Sequence, residues 1–177
     1  KTLYIAGRMG FAGMHHTVLL RSDGQAVACG KNDDGQCDIP SLDKGISYRQ
    51  VSAGGCHTVL LRSDGEAAAC GREIECSIPS IRTLEEGIVY TQVSAGGGHT
   101  VLLRSDGQAV ACGRNDDGQC NIPPSDEGIV YTQVSAGDRH TVLLRSDGQA
   151  VAFGFGPFSI PPLEEGSVYT QISAGGC

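Results

Sequence analysis

The chain has 177 residues and a formal net charge of −7, so its overall field repels phosphate backbones and nucleic acid is not expected as a partner. No stretch approaches the roughly 20 continuous apolar residues that a membrane span needs, so no direct span is predicted. Twenty-six glycines and seven prolines indicate many tight turns rather than long helices.

The sequence is internally repeated. Four equivalent histidines, at positions 16, 57, 99 and 140, follow one another at intervals of 41, 42 and 41 residues. Units of this size cannot bury an apolar face alone and must stack on their neighbours. We therefore predict one domain over residues 1–177, with units at about 10–50, 51–92, 93–133 and 134–172 and the start of a further unit at 173–177.

Each unit contains three runs of strand length. In the last unit they cover residues 133–136, 140–145 and 149–153, are rich in Val, Leu and Thr, and are separated by turn residues. The link Ser146-Asp147-Gly148 is typical of a three-residue hairpin loop, in which a type I turn precedes a glycine of positive φ.

A fourth short strand is predicted where an Ile-Pro pair recurs, at residues 37–40, 76–79, 120–123 and 158–161. Proline fits an edge strand because it has no N–H to donate to a ladder. Four antiparallel strands per unit describe a propeller blade. The predicted fold is therefore an all-β β-propeller of repeated four-stranded antiparallel blades, with about four blades present, as a partial or open propeller.

The pattern Val-Ser-Ala-Gly-x-x-His-Thr-Val-Leu-Leu-x-x-Asp-Gly, followed by Cys-Gly-x-Asn-x-x-Gly-Gln, resembles the repeat of the regulator of chromosome condensation family. That resemblance implies blades of a seven-bladed β-propeller. The chain departs from it in having about four units, and in having cysteine where an aromatic commonly precedes the glycine. It also reads Gly-Gln-Cys where the family commonly has Gly-Gln-Leu.

The repeated histidines raise the question of a metal site or a catalytic centre. One histidine per unit is what a repeated structural hydrogen bond produces, and no carboxylate or thiolate stands at ligand spacing beside it. A nucleophile needs one asymmetric site, whereas Ser, Asp and His recur in every unit. We predict no metal, no cofactor, no catalytic residue and no enzyme activity.

The cysteines form pairs within units, and in the last unit both equivalent positions are phenylalanine, Phe153 and Phe158. This joint replacement predicts that the paired side chains touch and fill apolar volume. Reduced core thiols are favoured, and an intrablade disulfide, which would indicate a lumenal or external compartment, is the alternative. The predicted pairs are Cys29 with Cys37, Cys70 with Cys76, and Cys112 with Cys120.

Residues that differ from unit to unit lie in two loops, one before the histidine and one after the Cys-Gly. Strand alternation places both loops on one face, so we predict that this face binds a protein. The candidate protein-binding residues are Met14, His15, Cys56, Arg72, Glu73, Ile74, Asp138, Arg139 and Phe155.

The main functional prediction is a non-enzymatic interaction or scaffold module with one or more protein partners. Similarity to repeat proteins of single-celled algae implies an alternative, a peripheral structural subunit docked on a large organellar complex, with a photosynthetic complex as one option. The resemblance to the regulator of chromosome condensation implies another, guanine-nucleotide exchange or regulation of a small GTPase. An intracellular location is favoured, with an organelle as one option, and the partner's identity is not encoded in the motifs.

Overall fold

The computed structural model describes residues 13–72, 78–79 and 85–176, and all of its regular structure is β-strand. Within these residues no helix has the length and apolar character needed to cross a membrane. The strands are β1 (His16–Leu20), β2 (Ala26–Gly30), β3 (Tyr48–Ala53), β4 (His57–Arg62), β5 (Ala67–Gly71), β6 (Tyr90–Ala95), β7 (His99–Arg104), β8 (Ala109–Gly113), β9 (Tyr131–Ala136), β10 (His140–Arg145) and β11 (Ala150–Gly154).

The strands form four antiparallel sheets, here called blades 1 to 4. Blade 1 pairs β1 with β2, and the other three have the orders β3-β4-β5, β6-β7-β8 and β9-β10-β11. The registers are equivalent in the three larger blades: Val51 pairs with Leu60, Val93 with Leu102, and Val134 with Leu143. The all-β prediction is therefore confirmed for the described residues.

Each central strand turns into the outer strand through the Ser-Asp-Gly link. In blade 2, Arg62 N donates to Glu66 O at 2.8 Å and Gly65 N donates to Arg62 O at 3.1 Å. Gly65 has a φ of 84°, a conformation that side-chain-bearing residues rarely adopt. The predicted three-residue hairpin loop is confirmed.

Successive residues of a central strand face the two neighbouring blades in turn. In β4, Val59 and Leu61 pack toward the next blade in the chain, which we call forward, whereas Leu60 packs backward. Both faces of the sheet are therefore covered, and β4 is a continuous apolar run rather than an alternating one.

The hydrophobic core lies in the seams, the boundaries between adjacent blades. Three buried clusters occupy three seams, and each contains a tyrosine from the inner strand, namely Tyr48, Tyr90 or Tyr131. The inner strands β3, β6 and β9 also neighbour one another. The blades thus share their core and cannot be buried separately.

The prediction of a fourth strand is wrong for segments 37–40, 120–123 and 158–161, which contain no strand. Of the segment 76–79, the structure describes only residues 78–79, and these are not in a strand either. The physical reason is that local turns use the backbone groups. Ile39 N donates to Cys37 O at 2.9 Å, and Ile122 N donates to Cys120 O at the same distance. The carbonyl of Pro40 accepts from Tyr48 Oη at 2.8 Å.

Candidate interaction surface

Polar side chains join adjacent blades in a repeated arrangement. His16 Nε2 lies 2.8 Å from Thr58 Oγ1 of the next blade, and Thr58 Oγ1 donates to Gln36 O at 2.8 Å. His99 and Thr141 are 2.9 Å apart, and Thr141 Oγ1 donates to Gln119 O at 2.8 Å. The histidine of one blade is thus a structural partner of the threonine in the next.

The hydrogen-bond pattern fixes the tautomer of these imidazoles. The threonine hydroxyl donates its proton to the glutamine carbonyl, so its oxygen can only accept a hydrogen bond from the histidine. The histidine Nε2 therefore carries the hydrogen. The buried Nδ1 atoms of His16 and His99 have no hydrogen-bond partner in the described part of the chain. Burial, together with the neighbouring His57 and His140, lowers the pKa of His99 to about 4.

Inner strands are joined by side chains that bond the backbone of the next inner strand. Gln50 donates from Nε2 to Val93 O at 3.0 Å and accepts from Val93 N at 3.1 Å. Ser52 Oγ accepts from Ala95 N at 3.0 Å. Each blade therefore satisfies backbone groups on an otherwise unpaired strand edge of its successor.

The glycine of the Ser-Ala-Gly motif is required by crowding at the same place. A Cβ on Gly96 would lie 2.4 Å from Gly137 O and 2.5 Å from His99 Cε1. Gly54 is placed in the same way against Gly96 O and the His57 ring. The repeated motif thus serves the seams.

This scaffold brings the two unit-specific loops together. In every unit the residue after the Cys-Gly, or after the Phe-Gly of the last unit, donates its backbone N–H to the backbone carbonyl of the residue before the histidine. The pairs are Lys31 with His15, Arg72 with Cys56, Arg114 with Gly98, and Phe155 with Arg139. The paired loops form what we call the loop face. The opposite end, the turn face, carries the hairpin loops, where Arg62 contacts Asp43 and Arg145 contacts Asp126.

Arg139 is the most tightly held unit-specific residue. Its Nε and Nη2 donate to the two carboxylate oxygens of Asp117 at 2.9 and 2.8 Å. Its guanidinium carbon lies 4.2 Å from the ring centroid of Phe155, whose side chain is 49% exposed. A bidentate ion pair across a seam positions Arg139, and a cation–π contact with Arg139 in turn holds the exposed Phe155 ring in place.

Arg72 makes the corresponding contact two seams earlier. Its Nη2 lies 3.4 Å from Asp34 Oδ1, and Asp34 occupies the same turn position as Asp117. Arg72 and Arg139 therefore reach equivalent acids of the preceding unit from different loops. The predicted residues Glu73 and Ile74 lie outside the described residues.

The remaining candidates lie at different depths on the loop face. Met14 is 61% exposed, His15 is exposed and Cys56 is half-buried. Met14 and Asp138 both line a glycine- and alanine-rich cleft of about 250 Å³ that is also lined by residues of the inner strands. Two nominated residues from different units thus share this cleft, whereas Arg139 and Phe155 form a pair within one unit.

Two residues and one contact near this surface were missed by sequence reasoning. Asp34 and Asp117 accept the unit-specific arginines, and Phe158 stacks on His140 with 4.8 Å between the ring centroids. Both acids belong to Asn-Asp-Asp-Gly turns that read as ordinary turns. Nothing in the spacing of Arg139 and Asp117 indicates that they meet across a seam.

Cys29, Cys37, Cys70, Cys112 and Cys120 are free thiols, and Cys76 lies outside the described residues. Cys70 Sγ donates to Gln36 O of the preceding unit at 3.5 Å, and Cys37 Sγ donates to Lys31 O at 3.4 Å. Burial raises the pKa of Cys70, Cys112 and Cys120 to about 11 in each case. These three thiols are thus shielded from water, and the pairing of cysteines within units stays a prediction.

No group of three or more metal-ligating side chains occurs within residues 13–72, 78–79 and 85–176. The seam histidines point one Nε2 each at a threonine of the neighbouring blade, so the pairs described above do not converge on a common centre. Their arrangement is that of a scaffold.

Antiparallel sheets that stack through both faces, with their inner strands side by side, are the blades of a β-propeller. The profile of the regulator of chromosome condensation (RCC1) repeat matches residues 11–36, 90–119 and 131–158. The chain therefore contains repeats of the RCC1 type, and the resemblance drawn from the sequence is confirmed.

Solved structures show the same fold at low identity. Prp20p from Saccharomyces cerevisiae superposes with a TM-score of 0.74 at 17% identity, over 94% of this chain and 52% of that one. Human WBSCR16 superposes with a TM-score of 0.69 at 18% identity, over 81% of this chain and 47% of that one. The ectodomain of the Physcomitrella patens receptor kinase CR4 superposes with a TM-score of 0.69 at 17% identity, over 94% of this chain and 48% of that one. The chain spans about half the length of these structures. No curated protein matches the sequence significantly.

Proposed function

We propose that this chain is a non-enzymatic interaction module that binds a protein partner through its loop face. The observation that carries the proposal is Phe155, an exposed aromatic ring held by Arg139, which is itself held by Asp117 across a seam. Rigid aromatic and arginine side chains are the residues that most often dominate binding energy in protein interfaces. The identical positions of the units maintain the scaffold, and the differing positions provide selectivity.

The experiment that tests this proposal compares two surface variants. Phe155→Ala removes the held ring from the loop face, and Val168→Ala removes an equally exposed apolar side chain, 57% exposed, beside the hairpin glycine Gly148 on the turn face. Each protein is cross-linked in an extract of its source cells, and cross-linked partners are quantified by mass spectrometry. We expect the partner to be lost with Phe155→Ala and kept with Val168→Ala.

Charge reversal gives an independent measurement. Arg139→Glu places a carboxylate beside Asp117 and releases the Phe155 ring, so we expect partner binding to fall at least tenfold. Arg72→Glu tests the other unit-specific arginine in the same assay. Unchanged affinity in Phe155→Ala and both charge variants would remove the loop face as the binding surface.

Nucleotide exchange is the second candidate, because the matching structure of Prp20p is described together with binding to Gsp1p and histones. Addition of the chain to a small GTPase loaded with a fluorescent guanine nucleotide tests it directly. Acceleration of nucleotide release would support exchange, and an unchanged rate would reject it for this chain.

The third candidate is a peripheral subunit of a large organellar complex. Co-migration of the chain with a membrane complex on native gels would support it. Recovery of the chain only in small soluble assemblies would reject it and leave the free interaction module.

A further inference from the structure

The seam histidines have a property that the interaction module does not require. His16 and His99 are buried between two blades, and each makes a polar contact through Nε2 that crosses a seam. His99 is completely buried, and its Nε2–H is used by Thr141 Oγ1. A second proton on this ring has to go to Nδ1.

The surroundings of Nδ1 leave no place for that proton. The Nδ1 of His99 is buried without a hydrogen-bond partner in the described part of the chain. The edge of the ring that carries Nδ1 and Cε1 packs against Gly96, where an added Cβ would lie 2.7 Å from Nδ1. An imidazolium would therefore bury an N–H without an acceptor, together with a charge.

The charged groups that face these rings do not offset that cost. His57 and His140 lie on either side of His99 and disfavour its protonation. His16 faces His15 and His57, and both have the same effect on it. The carboxylate of Asp138 favours a cation, but it acts on His140. His16 and His99 therefore have other histidines as their charge neighbours.

We propose that the histidine–threonine–carbonyl bridges form an acid-sensitive lock at the seams, which holds adjacent blades together while the imidazoles are neutral and releases them when Nδ1 is protonated. When a seam opens, water reaches the ring and the histidine returns to its ordinary acidity. Acid therefore favours the open seam, and opening displaces the two halves of the cross-seam contact between Arg139 and Asp117. The lock thus connects pH with the geometry of the loop face.

The sign of the effect follows from linkage. The pKa of His99 is lowered from 6.5 to about 4 in the closed seam, so the open seam binds the proton more tightly. Closure is at full strength above pH 6.5 and weakens as the pH falls toward 4. At pH 5 the opening equilibrium of this seam should be about 30-fold larger than at pH 7.5, if His99 alone contributes.

Amide hydrogen exchange measures this directly, because different amides report on seams and on blades. The N–H groups of Ala136 and Val134 bond to Ser94 and Gln92 across the seam between blades 3 and 4. The N–H groups of Arg104 and Arg145 close hairpins inside single blades. After correction for the intrinsic exchange rate, acid should increase opening at the first pair and leave the second pair nearly unchanged.

The decisive variant is His99→Gln, since the glutamine Nε2 can donate to Thr141 without gaining a proton in this range. We expect it to keep seam protection at pH 7.5 and to lose most of the 30-fold acid response. His15→Gln, a change at an exposed histidine of the loop face, is the matched control and should respond as the wild type does. Retention of the full response in His99→Gln would overturn the proposal.

A second measurement covers the case in which His99→Gln fails to close the seam even at pH 7.5. Nitrogen NMR shifts of the wild-type imidazoles report the tautomer and the titration of each ring. We expect a neutral Nε2–H form of His99 that persists well below pH 6.5. An Nδ1–H tautomer, or titration near pH 6.5 in the folded chain, would overturn the lock.

Discussion

Thr58 illustrates how much of the fold rests on single hydroxyl groups. Its oxygen accepts from His16 and its proton goes to Gln36 O, so one atom connects two blades. Thr58→Val preserves shape, leaves His16 Nε2 buried without this acceptor, and leaves Gln36 O with the weak thiol donor of Cys70. We expect a loss of about 2–4 kcal/mol in the free energy of unfolding, measured by denaturant titration.

The matched control is Thr132→Val. Thr132 is exposed and its hydroxyl makes a single contact, to Leu144 O at 3.3 Å. Its replacement should cost less than about 1 kcal/mol. Equal losses in the two variants would contradict the bridging role of Thr58.

Gly96 is limited by space rather than by backbone conformation. The Cβ of Gly96→Ala would overlap Gly137 O and the His99 ring, so we expect a loss of about 2–3 kcal/mol in the free energy of unfolding. Gly175→Ala is the control, because its Cβ would meet nothing within 4 Å. Thermal unfolding of both variants checks the prediction, and a neutral Gly96→Ala would disprove the crowding argument.

At this scale the sequence predicts function from repetition better than it predicts contacts. Recurrence of histidine and glycine correctly indicates structural roles, since a feature present in every unit serves every unit. It does not reveal that the histidine contacts the threonine of the following unit. A constant period would fit a contact with the preceding unit equally well. It also misses Asp117, since an acid in a turn has many alternative partners.

Among the elements, the outer strands and the turns after them decide the chemistry of the thiols. Burial raises the pKa of Cys112 and Cys120 from 9.0 to about 11, which leaves about 100-fold fewer thiolates than in the unfolded chain at the same pH. We expect alkylation of these two residues at pH 8 to be slower than in denaturant by at least that factor. Mass spectrometry of timed samples measures it.

Cys29 provides the internal comparison because it is exposed on the outer strand of blade 1. It should be alkylated first in the native protein. Rapid native alkylation of Cys112 would show that the turn carrying Cys120 does not cover it.

The elements also show where pattern reading fails. Three strands per unit are legible because Val, Leu and Thr runs are bounded by Ser-Asp-Gly and Ala-Gly, whose geometry is local. The Ile-Pro segments have strand-like composition, but their turns at Cys37 and Cys120 satisfy the backbone within two residues. Competition between a ladder and a local turn depends on the neighbouring blade, which composition does not describe.

For the whole molecule, the seams should behave as separate nearest-neighbour interfaces. Thr58→Val weakens the seam between blades 1 and 2 and leaves that between blades 3 and 4 intact. We expect faster hydrogen exchange at Met14, whose N–H bonds to Gly54 O across the first of these seams, and little change at Ala136. Equal acceleration at both amides would show that the array opens only as one unit.

The propeller class and the number of blades could be predicted from the sequence. The period of about 41 residues gives the length of a unit, and the chain length divided by that period gives the number of units. The loop face could be predicted only in part. Variation among units locates the loop face, but the contact between Arg139 and Phe155 depends on two loops that the hairpin brings together, and the acid that holds them belongs to another unit.

The side-chain bonds from Gln50 and Ser52 to the next inner strand run in one direction along the chain. Every unit therefore has a distinct head and tail, and each tail fits any head. A unit copied or deleted by recombination meets compatible inner strands at once, because these inner-strand bonds do not use the unit-specific loops. Such a chain can change its number of blades and exchange its recognition loops one unit at a time, while the chemistry between units stays the same.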